Sequence, residues 1–192
     1  MRRVLHLNSL SSSEAQTGLR ITRILMGALL MGLAAPLAIH LPWTPVPVVL
    51  QCHLCLGLAS IMGRSAAWSM VLFLLQGAAG APVFAGCTGG LDKLLGPSGG
   101  YLFGYVVAAY VVGWAFEKYP LTTAMQRIMA CGFGSLVIYG CGVLHLQHWT
   151  GWAGAIIQGV LPFLLGDVVK LLGLEQVRSW LVRRVPSLGR PS

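Results

Sequence analysis

Asp167 and Lys170 are an acid and a base three positions apart in a stretch that is otherwise almost wholly apolar. At i and i+3 they share one helix face and can neutralise each other. A lone intramembrane charge costs about 3 kcal/mol on insertion scales, so such residues turn toward a partner or a cavity. Two uses are open at this point. The pair is either a structural ion pair that fixes helix packing, or a polar anchor whose carboxylate accepts N–H groups and whose ammonium meets a carbonyl or carboxylate. Gln51 carries a donor and an acceptor on one amide, just after a proline-rich segment, for a ligand or for loop backbone. Trp43, Phe84, Tyr101 and Tyr139 are aromatic enough to wall a pocket, or to pack and anchor. Gln76 and Gln158 are weaker polar candidates, and Asp92–Lys93 reads as a solvated loop pair.

Between them lies a loop unusually rich in glycine, running through Gly86, Gly89 and Gly90 to Gly99 and Gly100. Glycine tolerates positive φ and lets backbone amides approach a ligand closely. No Gly-Lys-Ser/Thr follows, so a phosphate cradle is not indicated. Cys52-His53-Leu54-Cys55 has a metal-like look but no second ligand pair of zinc spacing, and its thiols read as small hydrophobes. No metal site and no cofactor are expected. The histidines His40, His53, His145 and His148 form no recognisable nucleophile–base set with Asp167 or Lys170, so an enzyme is not expected.

The elements that must position these groups are membrane helices. The chain has 192 residues, 56% hydrophobic and only 9% charged. Soluble domains carry about a quarter charged residues. Residues 24–63, 65–91, 94–116 and 128–166 contain no Asp, Glu, Lys or Arg. A crossing needs roughly 20 apolar residues, so each run holds one or two spans. The hydropathy pattern predicts spans near 22–40, 48–62, 66–81, 101–116 and 124–146. A sixth starts near Trp152 or near Pro162 and ends between Leu174 and Val182. Pro42, Pro45 and Pro47 forbid helix between the first two spans. The second span is short for a full crossing, which implies that this segment dips into the protein.

The net charge of +8 is placed by the membrane and not by nucleic acid. Arg2, Arg3, Arg20 and Arg23 lie at the start of span one, and Arg64 lies between spans two and three. Lys118 and Arg127 separate spans four and five; Arg178, Arg183, Arg184 and Arg190 end the chain, with Lys93 the main exception. Alternate loops collect cations, which reads as both termini cytoplasmic and an even number of spans. The expectation is an all-α membrane protein with six transmembrane helices over residues 21–183. Residues 1–20 and 184–192 are then cytoplasmic tails. Small residues at Ala28 and Gly32 allow close helix approach, within the bundle or against a membrane partner.

Four separated segments resemble one known family. They are Thr44-Pro45-Val46-Pro47-Val48-Val49-Leu50-Gln51, Gly80-Ala81-Pro82-Val83-Phe84-Ala85-Gly86, Leu95-Gly96-Pro97-Ser98-Gly99-Gly100-Tyr101 and Gly159-Val160-Leu161-Pro162-Phe163-Leu164-Leu165-Gly166-Asp167-Val168-Val169-Lys170. In this order they are similar to the signatures of BioY, the biotin-binding S components of bacterial energy-coupling factor transporters. The resemblance implies an S-component-like bundle in the bacterial cytoplasmic membrane, with an outward-facing biotin pocket. It also implies partnership with a transmembrane coupling subunit and two ATPase subunits, which would carry out ATP hydrolysis. Carried over residue by residue, it makes Gln51, Gly86, Gly89, Gly90, Tyr101, Asp167 and Lys170 ligand contacts, and places partner docking on the first span, where Ala28 and Gly32 stand. Asp167 would accept the ureido N–H groups of biotin, and Lys170 would serve the ureido oxygen or the tail carboxylate. Cys52-His53 and Asp92-Lys93 stand where the family usually has apolar or small residues. The alternative is a solitary transporter of biotin or a related vitamin, working without an ATPase module.

Overall fold

The computed structural model describes residues 2–39 and 42–185, with side chains for 16–39, 42–164, 166–167 and 169–185. His40, Leu41 and nearly all of the tail expected at 184–192 lie outside these residues. Seven helices and one small β-ribbon make up the described chain: α1 (Arg2–Leu33), β1 (Ala38–Ile39), β2 (Val48–Val49), α2 (Gln51–Met62), α3 (Ala66–Ala78), α4 (Leu91–Leu95), α5 (Gly99–Lys118), α6 (Ala124–Gly159) and α7 (Leu161–Arg184). Three helical stretches among them are long and apolar enough to cross a membrane: Gln51–Ala78, Gly99–Lys118 and Ala124–Leu164.

Several boundaries differ from the sequence reading, each for a local reason. α1 runs without a break from Arg2 through residue 20, so the expected tail is helically continuous with the first apolar run. No proline stands between Arg2 and Leu33 to forbid helix, and Gly18 costs only about 1 kcal/mol. The same helix stops at Leu33, earlier than 40, because Pro36 cannot donate a backbone hydrogen bond. The chain then makes a two-stranded antiparallel ribbon, Ala38 opposite Val49 and Ile39 opposite Val48, which carries the proline segment as its loop. This ribbon was not expected in an all-α chain.

α2 and α3 meet through a single 3-10 turn, Gly63–Ser65, in which Gly63 takes φ 64°. α6 begins with a capping box, where Thr123 accepts from the Gln126 amide and Gln126 reaches back to the Thr123 N–H. It continues past Leu146 to Gly159 and kinks at Gly151, where φ is 69°. The start of α7 settles near Pro162, which sits in the first turn where its missing N–H costs nothing.

α2 lies at the centre, with most of its residues buried and neighbours on α1, α3, α5, α6 and α7. Close helix approach depends on absent side chains. A Cβ at Gly104 would press on the Ile138 backbone, one at Gly113 would strike Gly63, and one at Gly27 would strike Ser69. Ala28 is fully buried, and Gly32 abuts Val83 while remaining partly exposed, so both positions take part in packing within the chain. In this conformation Ala28 presents no surface to a second protein.

Candidate functional site

One cavity gathers most of the chemistry. Its walls come from the proline segment (Pro45, Val46, Pro47), β2 and α2 (Val49, Gln51, Cys52), the glycine-rich loop (Phe84, Ala85, Thr88), α4 and α5 (Lys93, Ser98, Tyr101, Leu102, Tyr105), α6 (Ile138, Tyr139) and α7 (Phe163, Asp167, Lys170). Residues more than 100 positions apart therefore meet, which requires the central placement of α2 between the loops and α7.

Asp167 is the focus. It is buried, and it collects three polar neighbours from three helices. The Tyr139 hydroxyl donates to its Oδ2. Lys170 Nζ stands 3.5 Å from Oδ1 on the next turn of α7. His53 Nε2, from α2, stands 3.4 Å from the same oxygen. Yet neither His53 Nε2 nor Asp167 Oδ1 completes a well-formed hydrogen bond with a protein atom. A buried acceptor left partly unpaired costs about 1–3 kcal/mol, which a ligand N–H would recover. Lys170 keeps a quarter of its side chain exposed, and its ammonium offers further donors beyond the one facing Asp167.

Gln51 is almost fully buried at the first turn of α2. Its amide nitrogen donates to the Met31 carbonyl at 2.8 Å and to the Val83 carbonyl at 2.9 Å. Both N–H groups thus tie α1 to the glycine-rich loop, and the amide oxygen is what remains for another partner. Tyr101 gives its hydroxyl to the Gly159 carbonyl at 2.9 Å and lays its ring against Gly142. Tyr139 and Phe163 stack with centroids 6.4 Å apart, and Phe84 meets Phe73 edge-on. The Thr44 hydroxyl donates to the Gln158 carbonyl at 2.8 Å, stapling the proline segment to the end of α6.

The expected residues divide. Gln51, Phe84, Tyr101, Tyr139, Asp167 and Lys170 line the cavity together. Trp43 does not; it is largely exposed. Gly86, Gly89 and Gly90 shape the loop from outside the cavity wall. Gly86 and Gly90 take φ of 72° and 102°, and their N–H groups bond to the Ala35 and Gly77 carbonyls. A side chain at Gly89 would strike the Ala81 carbonyl. Lys93, expected in a solvated pair with Asp92, instead reaches the cavity rim from α4. Cys52 lines the cavity and His53 backs it, although the sequence reading gave neither a role. Their polar character inside an uncharged helix was the available signal, but the partner, Asp167, is far away in sequence.

The same cluster bears on metal binding, since donor atoms of Cys52, His53 and Asp167 lie within 4.8 Å of one another. The imidazole turns Nδ1 to Cys52 Sγ and Nε2 to Asp167. The two ring nitrogens face different neighbours, so an ion held by either nitrogen would break the contact that the ring makes there. The Lys170 ammonium beside Asp167 opposes a further cation. The arrangement suits a neutral ligand head that offers N–H groups and a carbonyl.

Comparison with known proteins agrees with this geometry. The family model of the BioY family matches residues 8–187. The biotin transporter BioY of Thermotoga maritima is 36% identical over 137 residues, covering 70% of this chain and 79% of that protein. The probable biotin transporter BioY of Pyrococcus horikoshii is 35% identical over 127 residues, covering 66% and 74%. Biotin transporter BioY2 of Lactococcus lactis subsp. cremoris is 32% identical over 168 residues, covering 83% and 90%. The fold is similar to a crystal structure of the S-component for biotin from an ECF-type ABC transporter, with a TM-score of 0.80, 22% identity, and coverage of 88% of this chain and 93% of that one. A match across nearly the whole chain, with the motif residues gathered around one cavity, means that the chain belongs to the BioY family.

Proposed function

We propose that this protein captures biotin for uptake across the cytoplasmic membrane, as the substrate-binding subunit of an energy-coupling factor transporter. The observation that carries this is the Asp167–Lys170 pair lining one cavity in a BioY-family chain. Biotin has a ureido ring with two N–H donors and one carbonyl, an apolar thioether ring and a carboxylate tail. Asp167 Oδ1 accepts a ureido N–H, the Gln51 amide oxygen accepts from the same head, and Lys170 donates to the ureido carbonyl or the carboxylate. Tyr139, Phe163 and Phe84 cover the apolar ring. An analogue without the ureido N–H groups would leave Asp167 unpaired in a buried site, which rejects it by about 1–3 kcal/mol.

The six crossings of this reading are built on α1, α2, α3, α5, α6 and α7. α2 has 12 residues and α3 has 13, too few to span alone. At 1.5 Å per residue each rises about 18–20 Å against roughly 30 Å of hydrocarbon. The proline segment and the glycine-rich loop complete these two crossings on the side away from Arg64. That side is the outer one if cations remain inside, so the cavity opens outward and both termini are cytoplasmic. The chain holds no ATP-binding motif, and inward release is driven by a transmembrane coupling subunit and two ATPases.

Equilibrium binding of radiolabelled biotin to purified protein in nanodiscs tests the reading. Saturable binding is expected, and its absence at micromolar biotin defeats the proposal. Uptake by cells that express this chain alone would favour the solitary transporter over the partnered one.

A further inference from the structure

We infer that Cys52 and His53 form a positioning pair that aims Asp167 at the ligand, so that selectivity for the ureido head depends on a chain of polar contacts running from the Cys52 thiol through the His53 ring to Asp167. The inference rests on the biotin reading of this cavity. His53 is 2% exposed and stands behind the wall, so it acts through Asp167 and not on ligand directly. Its two ring nitrogens have different partners: Cys52 Sγ at 2.9 Å from Nδ1, and Asp167 Oδ1 at 3.4 Å from Nε2.

The proton positions follow from charge. Nε2 faces a carboxylate oxygen, and a lone pair directed there would be repelled, so Nε2 carries hydrogen. A neutral imidazole has one N–H, which leaves Nδ1 as an acceptor. An imidazolium would add a second cation beside Lys170, which already balances the single carboxylate. Nδ1 therefore takes its hydrogen bond from the Cys52 thiol, whose other acceptor, the Val49 carbonyl, is farther away at 3.6 Å. The thiol thus fixes the tautomer, and the tautomer turns an N–H toward Oδ1 at 3.4 Å, a contact that is not yet a completed hydrogen bond in the free protein. With Tyr139 donating to Oδ2, the carboxylate is held from both ends. Its unmet acceptor capacity lies on a residue that lines the cavity. Outer partners that set a ring's tautomer act in this way around metal ligands too.

The experiment measures dissociation constants for biotin and for biotin methylated on its ureido nitrogens, in nanodisc-embedded protein. His53→Leu is expected to weaken biotin about ten- to hundredfold, the worth of a hydrogen bond to a charged group. His53→Gln, whose terminal amide can donate from near the Nε2 position, should recover most of that loss. Cys52→Val should weaken biotin several-fold, and Cys52→Ser, which keeps the donor, should restore it. In His53→Leu the preference for biotin over the methylated analogue should narrow, whereas mere loosening of the fold would weaken both alike. Should His53→Leu not fold, the Cys52→Val and Cys52→Ser pair carries the same test. Wild-type affinity in His53→Leu or Cys52→Val, equal loss in the leucine and glutamine variants, or an unchanged preference would overturn the inference. Wild-type protein that binds no biotin removes the reading beneath it and the inference together.

Discussion

Helix α7 carries two acidic side chains in ion pairs, and they are solved differently. Glu175 meets Arg127 of α6, whose Nε and Nη2 approach its Oε1 at 2.9 and 2.5 Å, and Ser179 adds a third donor at 2.9 Å. The other side of the guanidinium goes to the Leu121 and Thr122 carbonyls. Asp167, two turns earlier, has looser neighbours at 3.4 and 3.5 Å, and its Oδ1 lacks a completed hydrogen bond. A pair whose needs are met inside the protein holds helices together. One whose needs are left partly open, beside a cavity, holds a place for something else. Charge in an apolar helix does not by itself distinguish the two; the count of satisfied donors and acceptors does.

The sharpest way to break this contrast is to remove each acid in turn. Asp167→Asn keeps the size but loses the charge and swaps an acceptor for a donor. Biotin affinity should fall about 100-fold or more, since two charge-assisted contacts worth about 1.5–3 kcal/mol each are at stake. Glu175→Gln should do the reverse. Stability to thermal aggregation in detergent should drop by an amount matching about 2 kcal/mol, while biotin affinity stays within about twofold. If Glu175→Gln lost binding as severely as Asp167→Asn, the two pairs would not be distinct in function.

How much of this could be read in advance depends on the range of the interaction. The apolar runs, the cation placement and the proline break at 42–47 are local patterns, and they point to apolar helices and to the acid–base pair. Pro36 is equally local but lies inside the span expected at 22–40, where it ends α1 and leads into the β-ribbon that presents the proline segment. The remaining misses are matters of distance. Nothing near His53 in sequence announces Asp167, 114 positions on, and nothing near Lys93 shows that α4 folds it over the cavity. Trp43 and the glycines at 86, 89 and 90 lie off the cavity wall for another reason. Composition indicates that a loop approaches the site, but only coordinates tell which of its residues face inward and which make the turn possible.

A smaller effect tests whether the outer loop belongs to the open region or the closed one. Thr44 holds the proline segment to α6 through the Gln158 carbonyl, and its Oγ1 also accepts the Val46 N–H at 3.1 Å. Thr44→Val removes both contacts at constant shape. Net loss of one or two neutral hydrogen bonds is worth about 1 kcal/mol, so biotin should dissociate about fivefold faster, measured by chase of bound label, with little change in thermal stability. An unchanged dissociation rate would show that the segment does not help retain the ligand.

The mildest prediction concerns Lys93, the second cation at the cavity. It is exposed, whereas Lys170 is three-quarters buried. A solvent-exposed ammonium contributes at most about 1 kcal/mol to an ion pair, because water screens it. If Lys170 is engaged with Asp167 and the ureido head, the biotin carboxylate projects toward the rim and Lys93 is the cation that meets it. Lys93→Ala should then weaken biotin about two- to threefold and leave biotinamide, which lacks the tail charge, unaffected. The difference should vanish at high salt, where exposed pairs are screened. Equal weakening of biotin and biotinamide would instead assign Lys93 to loop packing, and would return the carboxylate to Lys170 and so to the less satisfied of the two ion pairs on α7.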